Sequence, residues 1–372
     1  MNIVLRKTEF KSRYAGERSC RCTNFGGIIR KGNDIVSDHH RRIGELVSCQ
    51  LHPVAGIARN WDPALGYGML AQAGTTTVLD MGGTGVSLID GIKRRGAGLN
   101  VAGQFALIPG LTIPTGEPKP GNLRDIVSNA LSQGCLGVKM LGGYHPFTPE
   151  TSAEVIRAAN EQRAYVAFHL GTTESGSHLG GVREVPELVG RGRLHVCHVN
   201  SYCRGVLEDA KDEAEEALSV LESMRGQLNS EVYHAVQNGT SGRCDDDGNV
   251  VADVLRNCLK LRGYPPTIEG IRRAILDGYG SVVAEKGGRM YYAGGHQALE
   301  MFDRARSNVG MSFPVNVPSS AFRLTTAKNE SAEFIVDAVS TDGGSHPRNV
   351  AIQSTMALVQ FGALLILYQT FF

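Results

Sequence analysis

Charge of one sign is the first thing this chain lacks: 38 Lys and Arg stand against 37 Asp and Glu, a formal net charge of +1. Nothing in that balance would draw nucleic acid or an anionic membrane surface. Aromatic residues are also few, at 6%, whereas glycines number 46, a mixture suited to a fold rich in strand-to-helix turns. An apolar leader is missing too, because MNIVLRKTEFKSR is charged throughout. A cytoplasmic setting is therefore expected. The eight cysteines agree with it: they are scattered, and Cys135 and Cys197 fall within or beside apparent core strands, as reduced thiols do. Cys20 and Cys22 form a CxC near His39 and His40, but no second pair at zinc-finger spacing follows. From Val350 to Phe372 there is no charged residue, which meets the length rule for a membrane span. Gln353, Ser354, Thr355, Gln360 and Gln369 dilute that run, so it reads as a buried last helix and no membrane is expected.

The length of 372 residues, 42% hydrophobic, allows one large α/β domain or two smaller ones. Residues 1–44 are polar and poorly patterned. From residue 45 onward short apolar, β-branched runs alternate with helical patterns. Strands are expected at 45–52, 74–80, 100–108, 136–140, 164–169, 194–198, 230–236 and 334–339. Between them, helices are expected over 62–73, 123–133 and 207–224, with a short one near 185–189. Another starts at Thr148, an N-cap followed by Pro149 and Glu150. Residues 237–332 break the rhythm with helical stretches at 251–261 and 268–276, and Asp245–Gly248 reads as an acidic surface turn. Eight strands with intervening helices indicate an α/β fold of the (β/α)8 barrel type over 45–372, with 237–332 a helical, lid-like insertion before the last strand.

Several of these strands close on residues able to hold a metal: His52 on the first, Lys139 on the fourth, His169 on the fifth, His198 on the sixth and Asp342 on the eighth. In a parallel barrel such ends converge on one face. Neutral imidazole is a common ligand of zinc-like ions, although either histidine alone reads equally as a satisfied core residue. Lys139, in GCLGVKMLGG, is flanked by apolar residues and glycines. A desolvated amine can stay neutral and take up carbon dioxide as a carbamate, an anionic bridge between two cations.

The set resembles the metal-dependent amidohydrolase superfamily over roughly residues 45–350. The spacing from His169 to His198 and the segment TDGGSHPR are similar to N-acyl-D-amino-acid deacylases and the isoaspartyl dipeptidase. Dihydroorotases and hydantoinases share a carboxylated lysine, which matches Lys139. The resemblance implies one or two zinc-type divalent ions and hydrolysis of a C–N bond by metal-activated hydroxide. Its small-molecule substrate would be an amide, an N-acyl amino acid or a cyclic amide, and Asp342 would be the proton acceptor. Tyr144, His346 and Arg348 are candidates to hold a substrate carboxylate or polarise its carbonyl, the alternative for Arg348 being a loop cap. Two departures stand out. Gln50-Leu51-His52 replaces the family's His-x-His, giving a weak amide ligand, and LDMGG lacks the bridging cysteine of the deacylases. The family's flanking β-sandwich is expected to be incomplete here, which makes a truncated, inactive relative the alternative reading. A homo-oligomer is left open.

Overall fold

A computed structural model describes residues 63–362, together with the backbone of the short strand β1 (Ser48–Cys49). Gln50, His52, the CxC pair and the segment before residue 45 lie outside the described residues. The strands that follow are β2 (Thr77–Asp80), β3 (Asn100–Gly103), β4 (Phe105–Ala106), β5 (Gly137–Leu141), β6 (Tyr165–His169), β7 (Leu194–Val196) and β8 (Leu228–Tyr233). An insertion carries β9 (Thr240–Ser241), β10 (Ser281–Lys286), β11 (Arg289–Ala293) and β12 (Gly310–Ser312), after which β13 (Ala338–Ser340) rejoins the main sheet.

All pairings among β1–β8 and β13 are parallel, in the order β1-β2-β3 and β4-β5-β6-β7-β8-β13. β3 and β4 are one strand broken at Gln104. There Gln104 N–H donates to Asp80 O at 2.7 Å, and three residues on Leu107 N–H donates to Lys139 O at 2.9 Å. The strand leaves one neighbour and joins the next, so the two sheets run on through it. At the far ends β1 lies against β13.

Helices cover the outer face. Val138, Val166 and Val196 point outward from successive strands into a core shared with Val127, Val155, Val182 and Leu218 of the helices. Each fully buried side chain of this size contributes roughly 1.5–3 kcal/mol. All five residues of β5 are buried, as expected of a parallel strand covered on both faces. The Thr148 cap forms as expected, its hydroxyl accepting from Thr151 N–H at 3.3 Å.

Three elements differ from expectation. Gly85–Arg95 is a helix that the glycines of MGGTG conceal; Thr84 and Ser87 close a reciprocal capping box at its start. The short helix near 185–189 begins earlier, at Leu179, with His178 Nδ1 accepting from Gly180 N–H at 3.1 Å, and it tolerates Pro186 inside. The insertion is not purely helical: β9–β12 form an antiparallel sheet in the order β11-β10-β12-β9 with its own apolar core around Leu259, Ile271, Phe302 and Phe313. Its hairpin turns at Gly287–Gly288, both at positive φ (60° and 74°), the conformation a two-residue turn between right-twisted strands requires. Past the last strand, Ala351–Gln360 is a helix with Leu358 and Val359 buried and Ile352 and Met356 exposed. Among the described residues no helix is long and apolar enough to cross a membrane.

Candidate active site

The carboxyl ends of the parallel strands bring three of the expected residues together. His169 closes β6, His198 follows β7 and Asp342 follows β13. The rings of His169 and His198 stand edge to face at 5.5 Å, and His198 Nε2 lies 3.6 Å from Asp342 Oδ1. All three residues are buried. His198 (φ 54°) and Asp342 (φ 42°) both adopt the left-handed conformation, which is costly for residues with a Cβ. Such geometry persists only where the surroundings over-determine it, and here the chain turns sharply at both strand ends to aim two side chains at one point.

Glu231, on β8, holds His198 from below. Its Oε1 accepts from His198 N–H at 2.8 Å and lies 2.7 Å from His198 Nδ1, while its Oε2 takes the Ser340 hydroxyl. Burial alone would raise this carboxyl, but His198 and His195 outweigh it and hold Glu231 well below the usual carboxylate range. A carboxylate beside Nδ1 fixes the orientation of the imidazole ring. His198 Nε2 lies 3.6 Å from Asp342 Oδ1. Ligands bonded to one tetrahedral zinc-like ion at ~2.0–2.1 Å would stand roughly 3.4 Å apart. His198 and Asp342 therefore fit a divalent cation. His169 presents Nε2 to Ser177 Oγ at 2.6 Å. Gly143 allows its ring to sit so close, since a Cβ there would fall 2.4 Å from His169 Nε2.

Lys139 is wholly buried but lies one layer deeper. It pairs in register with Ala167, whereas His169 pairs with Leu141. Its Nζ approaches Met81 Sδ at 3.8 Å, and Met81 in turn meets Cys197 Sγ at 3.8 Å. Burial would raise the Cys197 thiol, but the charges of Lys139 and His195 bring it down to about 7. Next to it, His195 engages Tyr165 Oη through Nδ1 and turns Nε2 toward Glu231 Oε1 at 3.8 Å. Glu231, His195 and Cys197 were not among the residues expected from the sequence. Their signal is visible afterwards: a glutamate inside the apolar strand run SEVYHAV, and a His and Cys at i, i+2 of an extended run, a spacing that puts both on one side.

Of the residues expected to meet substrate, Arg348 is engaged with Asp342, Gln237 and Tyr233. Nη2 pairs with Asp342 Oδ2 at 2.6 Å, Nε donates to Asp342 O, Nη1 donates to Gln237 O at 3.1 Å, and the guanidinium lies over the Tyr233 ring at 5.1 Å. These bonds describe the loop-cap alternative. Tyr144 packs edge-on to His169 and donates to Gly239 O at 3.2 Å, and burial raises its phenol so that it remains a donor. His346 is buried, and burial together with Arg348 lowers its pKa to about 3, so its ring is neutral. Elsewhere, Asp80 sits under a helix, accepting from Tyr67 Oη at 2.5 Å and Gly82 N–H at 2.9 Å; burial pushes it up to about 7.

No family model matches the chain, and no curated protein matches it. Solved structures do. A D-aminoacylase whose binuclear metal centre has been studied is 15% identical with a TM-score of 0.49, over 82% of this chain and 65% of that one. Another D-aminoacylase structure, described as defining a novel subset of amidohydrolases, gives 15% and 0.48 over 81% and 65%. N-acyl-D-glutamate deacylase from Bordetella bronchiseptica, complexed with zinc and a phosphonate inhibitor, gives 13% and 0.47 over 80% and 64%. The chain thus spans about 65% of the length of these amidohydrolase structures.

Proposed function

We propose that this chain is a metal-dependent hydrolase that cleaves the C–N bond of a small amide, an N-acyl amino acid or a cyclic amide, within an eight-stranded barrel closed by β1 and β13. The observation that carries the reading is the pair His198 Nε2 and Asp342 Oδ1, 3.6 Å apart, with Glu231 fixing the imidazole from behind. His169, His198 and Asp342 would hold a zinc-type ion, with His52 and, more weakly, Gln50 from the first strand and a carboxylated Lys139 from below. When bound, such an ion supplies Lewis acidity toward the scissile carbonyl and lowers the pKa of water toward neutrality.

The residues of the chain do the rest. The Asp342 carboxylate accepts the proton of the attacking water and delivers it to the leaving nitrogen, a role that needs a carboxylate within hydrogen-bond reach. Arg348 holds the opposite oxygen of that carboxylate and its main-chain carbonyl, and so sets its aim. Tyr144, a protonated phenol beside His169, is placed to donate to the substrate carbonyl by releasing Gly239 O. The insertion 237–332 supplies Gln237 and Gly239 to this rim, which supports its role as a lid. A second reading, an inactive relative, is favoured by Gln50 in place of a first-strand histidine.

The test is metal content after purification with zinc supplied, together with hydrolysis of a panel of N-acyl amino acids and cyclic amides. Asp342→Asn should abolish turnover; undiminished hydrolysis would remove Asp342 from the mechanism. Absence of bound metal in the unaltered protein would favour the inactive relative.

A further inference from the structure

Below the proposed catalytic level, β7 and β8 carry a second set of ligand-type atoms. His195 lies on β7 and Cys197 directly follows it, and Glu231 stands beside them on β8, where Val196 pairs with Ser230. One ligand atom from each of the three lies within 4.8 Å of the others, and all three residues are buried. Tyr165 occupies His195 Nδ1, so Nε2 is the nitrogen turned inward; it is buried and makes no hydrogen bond, with Glu231 Oε1 3.8 Å away. A buried imidazole nitrogen without a partner is costly, and it is rare in native structures unless something supplies one.

The sulfur geometry points the same way. Cys197 Sγ and Met81 Sδ are 3.8 Å apart. Two sulfurs bonded at ~2.3 Å to one tetrahedral ion are separated by roughly 3.8 Å. Ala167, in register with His195, is the small residue on the neighbouring strand of this layer. Thiolate, imidazole and carboxylate together are zinc-type donors, and the thioether softens the set further.

We propose that His195, Cys197 and Glu231 form a second metal site inside the sheet, binding one zinc-type divalent ion with Met81 as neighbour. Binding displaces the Cys197 proton where it is present and forms no other covalent bond. Glu231 would then serve two sites, orienting His198 above while ligating below.

The site is tested with cobalt(II) as a spectroscopic stand-in for zinc. Chelator-stripped full-length protein is titrated with cobalt, and the thiolate-to-cobalt charge-transfer band is followed in the near ultraviolet. The band should appear at one equivalent, vanish in Cys197→Ser and persist in Cys203→Ser, which removes a buried thiol bonded instead to Val199 O. His195→Gln should keep a thiolate band but weaken cobalt binding about tenfold or more, which provides a second reading should Cys197→Ser fail to fold. His169→Asn separates this proposal from the hydrolytic one: hydrolysis is lost while the band remains. A protein without hydrolytic activity that still shows the band would leave the deeper site standing. No thiolate band in the unaltered protein, or an equal band in Cys197→Ser, overturns it.

Discussion

Glu231→Gln tests the arrangement around His198 most directly. The carboxylate is wholly buried, accepts hydrogen bonds from His198 N–H at 2.8 Å and the Ser340 hydroxyl, and lies 2.7 Å from His198 Nδ1. Hydrogen bonds to a charged acceptor contribute ~1.5–3 kcal/mol each, neutral ones ~0.5–1.5. Glutamine keeps the shape and one carbonyl oxygen, so each of the two hydrogen bonds weakens by about 1 kcal/mol and the loss is about 2 kcal/mol in total. Against a typical stability of ~5–15 kcal/mol the variant still folds. The imidazole, however, loses the charge beside its Nδ1, and metal affinity should drop ~10–100-fold, as when an outer partner of a ligating histidine is removed. Urea unfolding of metal-free protein measures the first quantity and competition against a metal-binding dye the second. A variant within ~0.5 kcal/mol of the parent, the range of an ordinary surface substitution, with unchanged metal affinity, would refute the role given to Glu231.

Three further outcomes are expected. Lys139→Met should lose both metal and hydrolysis if the amine carries a carbamate, and bicarbonate should no longer promote metal loading; full metal content and rate in this variant would exclude the carbamate. Arg348→Lys cannot reproduce donation to Asp342 Oδ2, Asp342 O and Gln237 O together. It should lower kcat at nearly constant KM, whereas a rise in KM alone would mark Arg348 as a substrate anchor. His234 is buried between Ser354 Oγ and Thr325 Oγ1, at 2.6 and 2.7 Å, and burial lowers its pKa to about 4. The unfolded chain takes up this proton near pH 6.5 and the folded one only near 4. The stability is therefore complete above 6.5 and falls by about 3 kcal/mol as pH drops to 4. His234→Gln should flatten that part of the pH–stability curve, and an unchanged slope would show that another group causes it.

Local patterns in the sequence were enough to place most of the parallel strands and the helices between them. Apolar runs bounded by turn residues mark β5, β6 and β7, and the Thr148–Pro149 start is written in residue types that act on their own backbone neighbours. The same logic explains two misses that were legible: the hairpin turning at Gly287–Gly288, and the capping box at Thr84–Ser87 hidden among glycines. Strand-end position also pointed to His169, His198 and Asp342, because parallel strands deliver their carboxyl ends to one side.

What no local pattern contains is depth and partnership. Lys139 and His169 both belong to inward-facing rows, but only the register between β5 and β6 shows that the lysine sits one layer lower, beside Met81 and Cys197. Glu231 reads in sequence as a charge on a strand. Its meaning comes from β7 and β13, which bring His198 and Ser340 to its two oxygens from 33 and 109 residues away. Arg348 reads as an available guanidinium until its loop folds it onto Asp342 and Gln237. Hydrogen bonds and charge contacts act over a few ångströms and are blind to sequence separation, so which of these groups meet was settled only when the strands packed side by side.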